Sequence, residues 1–228
     1  WVGAGHLGLC AVDEQNILGG ARQFRALYRF RQRIYHAFGV PDLPTPQSPG
    51  SLPLVLVVQT KRVVTNLTPL VAKVNQLGAA RAQLIQWEKF SFVEQLQLMR
   101  TAAVLVTGVG SAMQNGFLMP EGSVAICLGW RNEFSPHGIH YFDSHILRSL
   151  DHVRALYYPS YTRAELGRPG MPSVTLNLTK AVDLIQQALS IHAKGFVTPV
   201  PEDANANRYD RAFTQLVRET NGEALRAR

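Results

Sequence analysis

The apolar, β-branched run that extends from Leu54 to Gln59 (LVLVVQ), with only its last residue polar, constrains the fold of this 228-residue chain more than any other feature. A strand that is apolar on both faces must be covered on both, which is typical of the buried strands of parallel sheets. Further strands are predicted at residues 83–87, 103–106, 123–128 and 153–158, with helical patterns between them. This alternation predicts an α/β fold, a doubly wound, mostly parallel sheet with helices on both faces.

A proline-rich stretch gives the clearest break in composition along the chain. Residues 41–53 (PDLPTPQSPGSLP) cannot hold a helix or a central strand, because proline lacks a backbone N–H and fixes φ. The segment before it, residues 21–38, has the apolar spacing of a basic amphipathic helix. We therefore predict an interdomain segment with this helix and the linker at 1–53, an α/β lobe at 54–200, and a C-terminal helix and tail at 201–228.

Cap signals predict the ends of two helices inside the α/β lobe. After the first strand, Thr68 can cap a helix, Pro69 suits its first turn and Gly78 can end it. Further along, Ser91 and Glu94 have the spacing of a capping box, in which the glutamate accepts a hydrogen bond from the Ser91 amide.

The formal charge of +7 suggests an anionic partner. Five arginines lie in the predicted first helix: Arg22, Arg25, Arg29, Arg31 and Arg33. Its apolar residues, from Phe24 to Phe38, recur at helical spacing, so most of the arginines are expected on the opposite, solvent-exposed face. No RNA-binding aromatic signature, zinc-finger spacing or helix-turn-helix pattern accompanies them. A small anion such as a nucleotide diphosphate is therefore the expected partner, and nucleic acid is not.

Cysteine and histidine give no sign of a disulfide framework or of a metal centre. Cys10 and Cys127 stand outside any metal-ligand or redox spacing and are expected to be small buried residues, with one long-range disulfide as the alternative. The histidines from His137 to His152 lack ligand spacing, and Asp143 adds too little to build a site. We predict no metal.

The sequence contains no targeting segment or membrane span, but it contains two glycosylation sequons. The chain begins at Trp1 without a leader and has no apolar run of about 18 residues, so any signal or anchor is expected upstream. The tripeptide Asn-Leu-Thr occurs at residues 66–68 and 177–179. Pro69 follows the first, which is interpreted as structural, so only the second is a candidate glycan site, with a chance match as the alternative.

Two segments that directly follow predicted strands carry the chemistry expected for phosphate binding. Lys61 and Arg62 follow the first strand, and the turn TGVGS at residues 107–111 follows the strand at 103–106. Open α/β sheets bind ligands at the carboxyl ends of their strands, where glycines let the backbone approach and helix N-terminal amides can hold a phosphate. The two cations could reach a pyrophosphate at the same edge. A tight turn that needs positive φ explains the glycines equally well.

These segments occur in a specific order: Lys61-Arg62 and Asn66, then Ser91-Phe-Val-Glu-Gln95, then residues 102–115 (AAVLVTGVGSAMQN), then residues 117–124 (FLMPEGSV). In this order, from about Leu54 to Tyr158, the chain resembles the carboxyl-terminal part of a family 61 glycosyltransferase. The resemblance implies a GT-B enzyme with two Rossmann-like lobes, of which the present lobe holds a UDP-sugar. It further implies inverting transfer to a glycan or glycoprotein acceptor without a required cofactor, in the Golgi or endoplasmic reticulum lumen, with a membrane anchor upstream.

The resemblance also implies roles for individual residues. Arg62 and Asn66 match the basic and asparagine positions after the first strand of the family, and Glu94 and Gln95 match its Phe-x-Glu-Gln segment. Gly110 and Asn115 match its His-Gly-Ala-Gly-Leu-Thr-Asn loop. Gly122 and Ser123 match its Pro-Gly-Ser turn. The expected substrate-binding residues are Lys61, Arg62, Asn66, Gln95, Gly108, Gly110, Ser111 and Asn115. Glu94 is the candidate general base, although capping competes with that role and the base could lie in the other lobe.

One departure from the family pattern leaves the activity open at this point. Val109 stands where the family has histidine, and Ser111 and Ala112 stand where it has alanine and glycine. A divergent transferase that relies on Gly108, Ser111 and backbone amides is one interpretation. An inactive nucleotide-binding or scaffold protein of the same fold is another, and a basic nucleic-acid binder with strongly salt-dependent affinity is a third.

Overall fold

The computed structural model describes residues 25–41, 51–60, 64–108, 111–128, 150, 152–158, 165 and 173–195. The C-terminal helix predicted within residues 201–228 lies outside these ranges, as does Cys10.

Helices and parallel strands alternate through the described ranges. The helices are α1 (Arg25–Ala37), α2 (Leu67–Gln76), α3 (Phe92–Met99), α4 (Ser111–Gln114) and α5 (Leu178–Lys194). The strands are β1 (Leu54–Val58), β2 (Arg81–Ile85), β3 (Ala102–Thr107), β4 (Ser123–Cys127) and β5 (Val153–Tyr157). Two 3₁₀ turns lie at Trp87–Lys89 and Asn115–Leu118.

The five strands form one sheet in the order β2-β1-β3-β4-β5, and every pair is parallel. This confirms the predicted α/β fold with a doubly wound sheet. β2 lies two residues earlier than the predicted 83–87 and, among the described strands, pairs with β1 alone. Because a strand at the end of a sheet is covered less completely, the burial of β2 is mixed.

The side chains of β1 divide between the two faces of the sheet. Val55 and Val57 enter a core cluster with α2 and α5, whereas Leu54, Leu56 and Val58 enter a second cluster with α3, the region of α4 and the end of α1. All five are buried, as a strand covered on both faces requires. The molecule is therefore a three-layer α/β/α arrangement.

The predicted helix ends are partly confirmed. Gly78 follows α2 with φ of +67°, the left-handed conformation that ends helices, and Ser91 and Glu94 form the predicted capping box of α3. The prediction that Thr68 caps α2 is wrong, because the N-cap is Asn66. The Asn66 amide does not cap the helix either, because it bonds to the backbone of Leu176.

Helix α1 contributes to the layer that covers the second face of the sheet. Tyr35, in α1, is completely buried and Val40, just after it, is 5% exposed, both in the core cluster that includes β1. The expectation of a solvent-exposed arginine face holds for Arg29 and Arg33 but is wrong for Arg31, which is 1% exposed. Its guanidinium lies 4.5 Å from the centre of the Tyr35 ring, a cation–π contact that helps to compensate for burial.

No helix in the described ranges is long and apolar enough to cross a membrane. Cys127 is fully buried in β4, as expected of a small core residue.

Candidate functional site

The order of the strands places a crevice between the carboxyl ends of β1 and β3. The chain leaves β1 toward α2 on one face of the sheet, and it leaves β3 toward α4 on the other face. Two neighbouring loops that depart to opposite faces open a gap between them, and this topological switch point is where open α/β sheets bind their ligands.

The two loops that flank this crevice start in contact with each other. Gly108 follows β3 and is buried, and a Cβ atom at this position would lie 3.2 Å from Thr60 Oγ1, just beyond β1. Glycine therefore suits the close approach of the two loops, because a Cβ atom here would be tighter against Thr60 than an ordinary contact. The backbone of Gly108 is also fixed by Thr107, whose hydroxyl donates to the Gly108 carbonyl at 3.2 Å.

The cations and most of the glycine turn lie outside the described residues. This applies to Lys61, Arg62, Val109 and Gly110 and to the side chain of Ser111. Lys61 and Val109 follow directly after Thr60 and Gly108 in the chain, so both predicted phosphate-binding segments begin at the point where the two loops meet.

Asn115 lies on the connection that leads from β3 through α4 to β4. It begins the 3₁₀ turn after α4 and is half-buried. Its side chain makes no hydrogen bond to another residue of the described ranges, in contrast to the other amide side chains predicted for the site. An amide carries two donors and one acceptor, so Asn115 can serve a ligand.

The 3₁₀ turn that begins at Asn115 is fixed by contacts from α1 that sequence reasoning missed. The Arg31 Nε–H donates to the Leu118 carbonyl at 2.9 Å. The Tyr35 hydroxyl lies 2.9 Å from the same oxygen and 3.1 Å from the Leu96 carbonyl. No local signal indicates these contacts, because the partners of Arg31 and Tyr35 lie more than 60 residues away in the sequence.

Asn66, by contrast, uses both ends of its amide within the chain. Its Nδ2 donates to the Leu176 carbonyl at 2.8 Å, and its Oδ1 accepts from the Leu176 N–H at 2.9 Å. The neighbouring Val64 and Val174 form a parallel bridge, and the Thr65 N–H donates to the Val174 carbonyl at 3.0 Å. Asn66 therefore anchors the loop after β1 to the segment that leads into α5.

Gln95 is likewise engaged in the turn between β2 and α3. Its Nε2 donates to the carbonyls of Trp87 and Phe90, both at 3.1 Å. Both amide protons are used to close the 3₁₀ turn, which makes Gln95 a structural residue of the turn.

Glu94 is exposed at the amino end of α3, and its carboxylate belongs to the capping box. Its Oε2 accepts from the hydroxyl and the N–H of Ser91, both at 2.7 Å, while the Ser91 hydroxyl accepts from the Glu94 N–H at 3.4 Å. The Ser91 hydroxyl and, after it, the Ser91 amide lower the pKa of Glu94, and desolvation opposes them. A lowered pKa makes this carboxylate a weaker base.

Gly122 and Ser123, which match the Pro-Gly-Ser turn of the family, lie at the amino ends of the strands, whereas the crevice lies at the carboxyl ends. Gly122 adopts φ of +85°, which favours glycine, and the Ser123 hydroxyl donates to the Ala102 carbonyl at 3.0 Å. These contacts join the amino ends of β3 and β4, so the two residues stabilise the sheet far from the crevice.

A buried polar cluster beyond β5 is the second feature that the sequence did not indicate. Tyr158 donates a short hydrogen bond to Glu165, which also accepts from Lys180 Nζ at 3.1 Å and from the Asn177 N–H at 3.1 Å. Glu165 is 6% exposed, so its charge is balanced by the lysine. The cluster fixes the start of α5 at the carboxyl edge of the sheet, on the β5 side.

Within the described residues, no group of three or more His, Cys, Asp or Glu side chains is arranged to hold a metal ion. Polar groups at the crevice are hydroxyl, amide and backbone groups, which suit an anionic or sugar-like ligand.

Comparison with known proteins identifies the family. The model of the Glycosyltransferase 61 family matches residues 11–126, just over half of the chain. The match begins upstream of α1 and includes β1, β3 and both loops of the crevice. No curated protein matches the chain. The parallel α/β sheet agrees with a glycosyltransferase fold, and from the family match we conclude that the chain belongs to glycosyltransferase family 61.

Proposed function

We propose that this glycosyltransferase binds a UDP-sugar in the crevice between β1 and β3 and transfers the sugar, with inversion, to a glycan or glycoprotein. The observation that carries the proposal is the contact between Thr60 and Gly108. Because Lys61 follows the first and Val109 the second, the cationic segment and the glycine turn start side by side at the switch point.

In the proposed reaction the chain stabilises the departing diphosphate. Lys61 and Arg62 supply positive charge, and the amides from Gly108 to Ser111 supply donors, as at other anion-binding turns. We propose that the side-chain amide of Asn115, on the connection after α4, also donates to the bound substrate. Preorganised donors of this kind stabilise charge as it develops on a leaving group, and we propose that no additional cofactor is required.

Inversion also requires a base that takes the proton of the acceptor hydroxyl as the new bond forms. Glu94 is the carboxylate that the family resemblance offers for this task. Its capping box and its lowered pKa favour a structural role over that of the base. We therefore assign Glu94 to fixing α3, and the base is expected on a segment outside the described residues.

The proposed setting follows the family resemblance. We propose that the lobe works opposite a second Rossmann-like lobe in a GT-B enzyme, in the Golgi or endoplasmic reticulum lumen, with an anchor upstream of this chain. Nucleic acid is not the proposed partner, since Arg31 is buried against Tyr35 and the helix offers fewer exposed arginines than its sequence suggests.

Calorimetric titration with UDP tests the donor site. Replacing Lys61 and Arg62 by alanine removes two charge-assisted contacts and should weaken UDP binding by about a hundredfold or more. The matched control is Arg29→Ala with Arg33→Ala, which removes the same charge from the exposed face of α1 and should leave binding within about twofold. Equal losses in the two double variants would show a non-specific charge effect and contradict the proposal.

A catalytically inactive nucleotide-binding protein is the second candidate function, and Val109 favours it. That protein would bind UDP but neither hydrolyse nor transfer the sugar of a UDP-sugar. Measuring UDP release with a panel of UDP-sugars separates the two candidates. Appearance of turnover only in Val109→His would support the inactive protein, whereas turnover in the unmodified chain supports the transferase.

A further inference from the structure

We propose that Asn177 is an acceptor of an N-linked glycan and that Asn66, in the identical tripeptide Asn-Leu-Thr, is not. The proposal goes beyond the transferase activity and rests on the proposed lumenal location, since N-glycosylation occurs in that compartment. The sequence alone treats the two tripeptides alike apart from Pro69, whereas the hydrogen bonds of the two asparagines differ completely.

The side chain of Asn177 is exposed, and its amide nitrogen is unused within the described residues. Its Oδ1 caps α5 by accepting from the N–H groups of Thr179 at 3.0 Å and Lys180 at 3.2 Å. Its backbone N–H is held by Tyr158 and Glu165 at 2.9 and 3.1 Å. The oxygen thus faces the helix, and Nδ2, the atom that carries a glycan, has no acceptor in the described part of the chain.

The side chain of Asn66 is in the opposite situation. It is half-buried, and its Nδ2 donates to the Leu176 carbonyl at 2.8 Å. A glycan on this nitrogen would replace one of its two protons and would have to fit beside the bond to Leu176 and the parallel pairing of Val64 with Val174, in a half-buried position. A folded chain is therefore expected to carry no glycan at Asn66.

The glycan is transferred to the protein from a lipid-linked oligosaccharide pyrophosphate. A bond forms between Asn177 Nδ2 and the anomeric carbon of the first sugar, the bond from that carbon to the pyrophosphate oxygen breaks, and one amide proton is lost. The oxygen of Asn177 keeps its lone pairs, so the helix cap is retained after modification.

The position of Asn177 is fixed by contacts of its backbone and of the residue before it. Its backbone N–H is bonded to Tyr158, the residue after β5, and β5 is two strand positions beyond β3. The residue before Asn177, Leu176, is bonded to Asn66 in the loop after β1, so Asn177 lies on the segment that joins this loop to the end of β5. The exposed side chain of Asn177 can carry a glycan at this edge of the sheet without displacing either contact.

The test is to secrete the 228-residue chain from eukaryotic cells behind a cleavable leader and to map glycans by peptide:N-glycosidase treatment and mass spectrometry. One glycan is expected, at Asn177. Thr179→Ala should abolish it while keeping the cap, because the cap uses only the backbone N–H of this residue. Thr179→Ser should retain it, and Thr68→Ala, the matched change in the other tripeptide, should leave it unchanged.

Two results would overturn the proposal: a folded, secreted chain without a glycan at Asn177, or one with a glycan at Asn66. Asn177→Gln is a second variant that must also lose the glycan, although it removes the cap of α5 as well. None of these readouts requires a nucleotide. A chain glycosylated at Asn177 that fails to bind UDP would therefore contradict the proposed donor site and leave the glycan acceptor standing.

Discussion

Two turns at the carboxyl edge of the sheet differ in whether their polar side chains are hydrogen-bonded within the chain. In the turn between β2 and α3, Glu94 and Gln95 are bonded to Ser91, Trp87 and Phe90. Beyond β3, the chain meets the loop after β1 at Gly108, and further along the same connection the amide of Asn115 has no hydrogen-bond partner among the described residues. The first turn is complete without a ligand, whereas the second has polar groups to offer one.

This difference divides the residues that match family motifs into two classes. Asn66, Glu94 and Gln95 already bond to the chain itself and account for the geometry of its turns. Asn115 makes no such bond in the described residues, and we propose that it and the segments that follow Thr60 and Gly108 bind substrate. A match to a motif does not distinguish these classes, because both structural and substrate-binding residues recur in a family. Substitutions in the two classes should therefore differ in their effects on stability and on ligand binding.

The largest effect is expected for Asn66→Ala. The substitution leaves the N–H and the carbonyl of Leu176 without their partner, and we expect the free energy of unfolding to fall by about 2 kcal/mol. Chemical denaturation measures the change. Asn115→Ala, which removes the same side chain from a position without a hydrogen-bond partner in the described residues, should change stability by less than about 0.5 kcal/mol. Similar losses for the two variants would contradict the division.

For ligand binding, Asn115→Ala is expected to have a larger effect than Gln95→Ala. Asn115→Ala removes a hydrogen bond to the donor and should weaken UDP-sugar affinity about tenfold, as expected for one bond to a charged group. Gln95→Ala should leave affinity within about twofold because the Gln95 amide is bonded to its own turn. Calorimetry on both variants decides the point, and a larger loss for Gln95→Ala would reverse the assignment.

The effect of Gly108→Ala on stability is expected to change sign when Thr60 is also replaced. Gly108→Ala places Cβ 3.2 Å from Thr60 Oγ1 and should destabilise the chain by about 1 kcal/mol. In a Thr60→Ala background the contact is absent, so the same substitution should stabilise by about 0.5 kcal/mol through the reduced entropy of the unfolded chain. A double-mutant cycle measured by thermal unfolding checks this. Equal effects in both backgrounds would show that the two loops do not meet at this point.

The smallest effect on stability is expected at Glu94. Because Ser91 lowers its pKa in the folded state, its contribution is complete above the unfolded value of about 4.3 and is lost as pH falls through the lower folded value. Wild type should therefore lose stability relative to Glu94→Gln as the pH falls from about 6 to 3. Unfolding midpoints of the two proteins across this range measure the difference.

The same variant tests the role of Glu94 in catalysis. Glutamine fits a capping box, so we expect Glu94→Gln to keep transfer activity within about twofold. If Glu94 were the general base, activity would fall by about a hundredfold or more. Rates measured at saturating donor and acceptor separate these outcomes.

Local patterns predicted most of the architecture. The apolar runs located the strands, and Ser91 with Glu94 gave a capping box that is present in the structure. The crevice follows from the same patterns, because strand order brings the ends of β1 and β3 together. These features depend on neighbours in the sequence or on simple rules of connection, which is why sequence analysis finds them.

Features that depend on distant partners were not predictable. Arg31 has the spacing of a solvent-exposed residue, but its partner at Leu118 is 87 residues away and makes burial possible. The amide of Asn66 finds Leu176, 110 residues further along. A single sequence carries no signal for such pairs, so the roles of both residues could be assigned only from the structure.

The pairing of Asn66 with Leu176 has a consequence for how the chain is synthesised and folds. Residues 173–188 contribute the far side of the first core cluster, so α2 and β1 emerge from the ribosome long before the segment that covers them. Folding is slower when the core depends on contacts between residues that are far apart in the sequence. A fragment cut at the end of the family match, residue 126, would contain the crevice but lack β5, α5 and Leu176. The region matched by the family model is thus shorter than the layered α/β unit that the two core clusters form.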